Sequence, residues 1–164
     1  MGDRLPAIDQ EVEIHVGERL LPGRLRVPVG ATGIVVFAHG SGSSRHSPRN
    51  QSVAIALDSA GIGTLLVDLL TEAEGGDRAL VFDIPLLARR LAGIAAWLRG
   101  QDETRGLRLG YFGASTGAAA ALTAAADDSA VAAVVSRGGR PDLAGAHLGQ
   151  VGAPTLLIVG GADD

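Results

Sequence analysis

An apolar run that reaches a Gly-x-Ser-x-Gly turn and passes directly into an alanine-rich stretch, at residues 107–126, constrains the fold of this chain most. Residues 107–112 have the apolar pattern of a buried strand, and the stretch after Gly117 is rich in alanine, the strongest helix former. The flanking glycines allow the chain to bend tightly where Cβ atoms would clash. The segment therefore predicts a strand, a sharp turn at Ser115 and a helix. A glycine-rich strand-to-helix turn of any α/β protein gives the same pattern, so the motif needs support from the rest of the chain.

Short apolar runs alternate with helical patterns on both sides of this unit. A hairpin is predicted from strands at residues 11–16 and 20–27, followed by buried strands at 33–38, 63–67, 131–135 and 155–159. Helices are predicted at residues 48–60, from Asp83 as N-cap to Gly100, and near 142–148. This alternation predicts one α/β domain over residues 1–164, a mainly parallel sheet with helices on both faces. Ligands of such sheets bind at the carboxyl ends of the strands.

The composition excludes several classes of protein. The chain is 46% apolar and 20% charged with a net charge of −4, which favours neither disorder nor a nucleic-acid-binding surface. All fourteen basic residues are arginine, which excludes a Walker phosphate loop and a Schiff-base lysine, and the absence of cysteine excludes a thiolate nucleophile. The first ten residues lack the apolar core of a signal peptide, and no apolar run approaches a membrane span, so a cytoplasmic protein is expected. No metal or cofactor is expected.

Three loops that follow predicted strands occur in a recognisable order. They are His-Gly-Ser-Gly at residues 39–42, Gly-Ala-Ser-Thr-Gly at 113–117 and Leu-Ile-Val-Gly-Gly-Ala-Asp at 157–163. With the leading hairpin, they make nearly the whole chain resemble the α/β-hydrolase superfamily, and within it the dienelactone-hydrolase-like proteins. The resemblance implies an α/β-hydrolase fold and a hydrolase of carboxylic esters, lactones or related small acyl substrates.

The resemblance also implies a role for particular residues. Ser115 is the expected nucleophile, and the backbone amides of Thr116 and Ser41 are the expected donors of an oxyanion hole. Asp163 is the expected acid of the catalytic triad, with Asp164 beside it as a second candidate. The family's remaining member, a histidine after an eighth strand, has no counterpart in this sequence.

None of the four histidines is an obvious replacement for this general base. His46 is the least implausible of them, since its loop is predicted to lie over the pocket, although an ordinary histidine of a surface loop is the favoured interpretation. Without the eighth strand and the last helix of the family, the final predicted strand has an unpaired edge. We therefore expect either a missing C-terminal segment or a partner, such as the second subunit of a homodimer, to cover it and supply the base.

Other interpretations remain open at this point. A non-catalytic α/β-hydrolase-like module, or an inactive fragment, would keep the turn at Ser115 without the base. A phosphate-binding loop at residues 39–42 is weaker, because it lacks both the Walker lysine and a full Gly-x-Gly-x-x-Gly spacing. A dinucleotide-binding turn at residues 110–117 is also weaker, because it lies in the middle of the chain and not after the first strand. Asp68 and Glu72 lie at the catalytic edge but also suit helix caps or solvent, and three arginines there, Arg45, Arg137 and Arg140, would favour an anionic substrate.

Overall fold

A computed structural model describes residues 6–162, which form a seven-stranded sheet with helices on both faces. The order of strands across the sheet is β1-β2-β4-β3-β5-β6-β7. Their bounds are Pro6–Val16 (β1), Arg19–Pro28 (β2), Gly33–Ala38 (β3), Ile62–Val67 (β4), Arg108–Ser115 (β5), Val131–Gly139 (β6) and Thr155–Ile158 (β7).

The sheet changes character at β4. Strands β1 and β2 form an antiparallel hairpin, and β2 also pairs antiparallel with β4, whereas β4, β3, β5, β6 and β7 are all parallel to one another. The predicted fold class, a mainly parallel α/β-hydrolase sheet with a leading antiparallel hairpin, is confirmed. Because β3 lies between β4 and β5, the loops that follow these three strands meet at one edge.

Four α-helices accompany the sheet within residues 6–162. They are Pro48–Ser59 (α1), Arg78–Val81 (α2), Ile84–Gly100 (α3) and Thr116–Ala126 (α4). The predicted cap is present, since the Asp83 carboxylate accepts a hydrogen bond of 2.9 Å from the Leu86 amide. Helix α1 packs on one face against Phe37, Leu66 and Phe112, and α3 and α4 pack on the other face in the larger part of the core.

Two local predictions differ from the structure. The short helix α2 was not expected, because four residues are too few for a helical period to be read. The segment expected as a helix near 142–148 is a 3₁₀ segment, Pro141–Gln150, with a non-helical Gly145 at φ +54° inside it. Glycine at this position allows the break, which divides the segment into two short turns.

Helix α4 and strand β7 are opposites in burial. Ten of the eleven residues of α4 are buried, and its alanines allow it to lie close to the sheet. All four residues of β7 are exposed, as is Val159 after it. Within residues 6–162, no helix combines the length and apolar character that crossing a membrane demands. The predicted acids Asp163 and Asp164 lie outside the described residues.

Candidate active site

The turn at Ser115 is strained in the manner that its sequence predicts. Ser115 is the last residue of β5 and adopts φ +52° and ψ −127°, and among residues 6–162 no other non-glycine residue has a positive φ. Such a conformation persists only where the surrounding structure enforces it, and it is common at functional sites. Here the amide of Arg140 donates a hydrogen bond of 3.1 Å to the Ser115 carbonyl, which fixes the turn from the side of β6.

The two flanking glycines are needed because the backbone is crowded. A Cβ on Gly113 would lie 2.5 Å from the Cα of Ala118, and a Cβ on Gly117 would collide with the carbonyl oxygens of Ala38 and His39. No flexible side chain could move aside, since these neighbours are backbone atoms. Glycine at positions 113 and 117 therefore allows α4 to start immediately after β5 and close to the end of β3.

A second loop, residues 39–45, lies against Ser115. It begins where β3 ends, and the register Ala38↔Gly113 brings its first residues beside the end of β5. A Cβ on Gly40 would be 2.5 Å from the Cβ of Ser115 and 3.2 Å from its Oγ. The loop then turns, with the Ser43 amide donating to the Gly40 carbonyl at 3.3 Å and Gly42 at φ +70°. This places the Ser41 amide within the turn beside the serine.

The start of helix α4 adds a second group of donors. Thr116 is the first residue of α4 and is buried, and the amides of a first helical turn have no partner within their own helix. The positive end of the helix dipole also favours negative charge at this point. The 39–45 loop, through Gly40, and the start of α4, at Thr116, thus lie on two sides of Ser115.

The side chains of His39, Asp68 and Arg45 meet beside this loop. His39 Nε2 lies 3.2 Å from Asp68 Oδ1, at ion-pair distance but without the alignment of a hydrogen bond. Asp68 accepts hydrogen bonds from the Arg45 amide at 2.7 Å and from the Arg45 guanidinium at 2.5 Å. Burial by itself would raise the pKa of Asp68, but the contacts with His39 and Arg45 outweigh it and lower this pKa to about 2.

A cleft of about 590 Å³ opens over these groups. Residues 39–46 form one wall and residues 68–72 form another. The lining is completed by Pro22, Gly75, Val81, Leu87 and Thr116. A volume in this range accommodates a small organic molecule. Within residues 6–162, no three histidine or carboxylate side chains converge in a way that could hold a metal ion.

The structure does not pair Ser115 with a base among the described residues. No side-chain hydrogen bond reaches the Ser115 hydroxyl from any part of residues 6–162. His46 lines the cleft but is exposed, and its backbone amide donates a hydrogen bond of 3.2 Å to the Ser44 hydroxyl. Both ring nitrogens of His39 face oxygen atoms, of Asp68 and of the Gly40 carbonyl, so neither is directed at Ser115.

The three arginines of the catalytic edge also have partners. Arg45 is bound by Asp68, Arg140 is bound by Asp142 at 2.7 and 2.9 Å, and Arg137 contacts Asn50 at 3.4 Å and lies over the Phe112 ring. The structure therefore gives no support to the expectation that they recognise an anionic substrate.

The sequence left the role of Asp68 open. The register of β3 against β4 predicts that Asp68 lies beside His39. Asp68 caps no helix; it follows β4 directly, His39 follows β3 directly, and the last paired residues of these strands are Ala38 and Val67. Adjacent parallel strands in this register place the next residues side by side. The sequence alone does not say that β3 and β4 are neighbours, which is the reason the pair was missed.

The strained serine between close-packed glycines, on a parallel sheet with a leading hairpin, defines an α/β-hydrolase. No family model matches the chain. A solved structure of a dienelactone hydrolase from Anabaena variabilis is 58% identical, with a TM-score of 0.91, over 95% of this chain and 74% of that chain. The chain belongs to the dienelactone hydrolase family.

A second solved structure agrees on the fold. A dienelactone hydrolase-like promiscuous phosphotriesterase from metagenomic libraries has a TM-score of 0.73 and is 22% identical, over 94% of this chain and 69% of that chain.

Curated relatives from two strains of Mycobacterium tuberculosis are 62% identical over 159 residues and carry the provisional name of a phosphoribosyl transferase. The match covers 96% of this chain but 36% of those proteins, so that name describes proteins of which this chain spans about a third.

Proposed function

We propose that this protein is a serine hydrolase that cleaves carboxylic esters, lactones or related acyl substrates through an acyl-enzyme on Ser115. The observation that carries the proposal is the strained Ser115, at φ +52°, beside both the α4 N-terminus and Gly40. Family membership supports hydrolysis, and the cleft lined by residues 39–46 and by Thr116, the residue after Ser115, supports a small-molecule substrate.

The proposed reaction has two halves. In the first, the Ser115 oxygen attacks the acyl carbonyl, a base takes the hydroxyl proton, and the amides of Ser41 and Thr116 stabilise the oxyanion. The alcohol leaves with that proton, or stays attached to the acyl group when the substrate is a lactone. In the second half, water attacks the acyl-enzyme, and the carboxylic acid and free Ser115 are regenerated.

The base in this proposal is not among residues 6–162 of the same molecule. A histidine of a longer form of this chain, or of a second copy, would take the Ser115 proton, with Asp163 or Asp164 orienting it. The solved Anabaena chain is longer than the matched region, which supports the first source. The exposed β7, at the edge where such a segment would pair, supports either source.

The competing proposal is a binding module that has lost the base. It is favoured by the lack of a hydrogen-bonded base at Ser115 within residues 6–162. In that case the oxyanion donors and the cleft remain, but the rate of hydrolysis is lower by several orders of magnitude.

Covalent labelling distinguishes the two proposals. A fluorophosphonate reacts with an activated serine by forming an oxygen–phosphorus bond and releasing fluoride, which intact-protein mass spectrometry detects as one adduct. We expect one adduct on the wild type, none on Ser115→Ala, and an unchanged adduct on Ser43→Ala, a serine that lines the cleft of about 590 Å³. Folded wild type without an adduct contradicts the serine hydrolase and favours the binding module, and an adduct that survives in Ser115→Ala contradicts Ser115 as the nucleophile.

A further inference from the structure

The 39–45 loop has little apolar burial to hold it in place. Ser41, Gly42 and Ser43 at its tip are exposed, and no side chain of the tip belongs to the core. A short polar loop of this kind opens easily unless specific contacts fix it. Its position nevertheless matters, because Gly40 is packed so closely against Ser115 that a Cβ would not fit between them.

Asp68 contacts both ends of this loop. At the first end, His39 Nε2 lies 3.2 Å from Asp68 Oδ1. At the last end, the Arg45 amide donates to Oδ1 at 2.7 Å and the Arg45 guanidinium donates to Oδ2 at 2.5 Å. The Asp68 carboxylate therefore contacts both His39 and Arg45, and the Ser41 amide lies in the loop between these two residues.

Asp68 itself is held firmly by the sheet. It follows β4 directly, and its own amide donates a hydrogen bond of 3.0 Å to the Pro22 carbonyl of β2. Its side chain is 14% exposed, so water competes weakly for the carboxylate. Charge-assisted hydrogen bonds in such a place are stronger than neutral ones.

We propose that Asp68 is a positioning residue that clips both ends of the 39–45 loop and so holds the Ser41 amide beside Ser115. The clip itself depends only on the contacts of Asp68, His39 and Arg45. Its effect on catalysis rests on the proposed function, since the Ser41 amide matters only if an oxyanion forms there.

The charge of Arg45 has a second, weaker partner that serves as a control. The Glu11 carboxylate of β1 lies 3.6 Å from Arg45 Nε and is 56% exposed. Removing this carboxylate leaves the clip intact, because exposed ion pairs contribute little. Glu11→Gln therefore matches Asp68→Asn, because each variant replaces a carboxylate that contacts Arg45 by an amide. The two variants differ because Glu11 does not contact both ends of the 39–45 loop.

Hydrogen–deuterium exchange in the full-length protein tests the clip directly. In Asp68→Asn we expect amides of residues 39–45 to exchange about tenfold faster or more, since the lost bonds are to a charged group. Peptides from β5 and α4 should exchange as in the wild type, and Glu11→Gln should match the wild type throughout. If Asp68→Asn does not fold, Arg45→Met carries the same expectation. Unchanged exchange of residues 39–45 in the folded variant overturns the proposal.

Kinetics adds a readout that a merely structural role would not move. If the wild type turns over an aryl ester, Asp68→Asn should lower kcat by about 100-fold with a much smaller change in KM, because a displaced oxyanion donor acts in the transition state. A kcat equal to that of the wild type overturns the catalytic part of the proposal. If the wild type itself is inactive, the proposed function fails, and the exchange experiment still decides whether Asp68 clips the loop.

Discussion

At the scale of single residues, the site depends on three glycines, because their lack of a Cβ atom lets backbone segments pack closely. Gly40, Gly113 and Gly117 bring three backbone segments within van der Waals contact around Ser115, where any Cβ would collide with backbone or with the serine itself. The strain at Ser115 is maintained by this packing and by the hydrogen bond from Arg140. Replacing one glycine hydrogen by a methyl group should therefore slow the reaction at Ser115 before it lowers the stability of the fold.

Gly40→Ala is the sharpest test of this close packing. The new methyl group would lie 2.5 Å from Ser115 Cβ and 2.9 Å from the Ala114 carbonyl oxygen, so the loop must shift. We expect the rate of fluorophosphonate labelling to fall by about 100-fold, because a displacement of about 1 Å has that effect on an aligned site.

The matched control is Gly100→Ala at the end of α3, where a Cβ has open space. It should leave labelling unchanged. Equal labelling of Gly40→Ala and the wild type would show that the loop can move without disturbing Ser115.

At the scale of elements, a buried ion pair joins the wall of the cleft to α3. Arg90 of α3 is buried and donates to both carboxylate oxygens of Glu74, at 2.7 and 2.9 Å. It also donates to the Leu69 carbonyl at 2.6 Å, and the Thr71 amide donates to Glu74 at 3.0 Å. An arginine among the apolar positions of an amphipathic helix is thus explained by the loop that it holds.

Glu74→Gln should destabilise the protein strongly. The variant leaves the buried Arg90 guanidinium without its counter-charge, and breaking a buried pair in this way costs roughly 3 kcal/mol of the free energy of unfolding. Urea unfolding measures the change. The control is Asp142→Asn, which breaks an equally bidentate pair with Arg140 whose side chains are 59% and 52% exposed, and which should unfold as the wild type does.

The pH dependence of unfolding gives the same pair a second test. The hydrogen bonds from Arg90, opposed by burial, lower the pKa of Glu74 from 4.5 to about 2. A lowered carboxyl pKa stabilises the fold above the unfolded pKa, and this stabilisation is lost as pH falls toward the folded pKa. The difference between wild type and Glu74→Gln should therefore shrink between about pH 4.5 and pH 2. A difference that stays constant over this range would contradict the assignment.

At the scale of the whole molecule, the sheet is covered unequally. Its centre is buried by α1 on one face and by α3 and α4 on the other. At β7, Leu156, Leu157, Ile158 and the following Val159 are between 45% and 67% exposed. Both faces of this strand are apolar and open, and contiguous patches of this kind mark contacts with further protein.

We expect the 164-residue chain to associate through β7. Light scattering after size exclusion should show a mass that rises with protein concentration, and the double variant Leu157→Glu, Val159→Glu should remain monomeric. Leu20→Glu, at an isolated exposed leucine of β2, should associate like the wild type. A wild type that stays monomeric at every concentration would show that β7 needs no cover.

The local part of this protein was readable from its sequence. Alternating apolar runs and helical periods determined most of the strands and helices, and the Gly-x-Ser-x-Gly turn located Ser115, because these features depend on residues close together in the chain. Sequence could not give the 3₁₀ break at Gly145 or the short α2, where few residues carry the signal. It also could not decide the acid of a triad, and Asp163 remains a prediction outside the described residues.

Only the tertiary structure decided which loops meet. The order β4-β3-β5 brings Asp68, His39 and Ser115 to one edge of the sheet, although 76 residues of sequence separate His39 from Ser115. The tertiary structure also explains why Arg90 lies on an apolar helix face, because there its guanidinium pairs with Glu74. Periodicity and turn chemistry act over a few residues and are written into the sequence locally, whereas strand order is fixed by burial of the whole sheet.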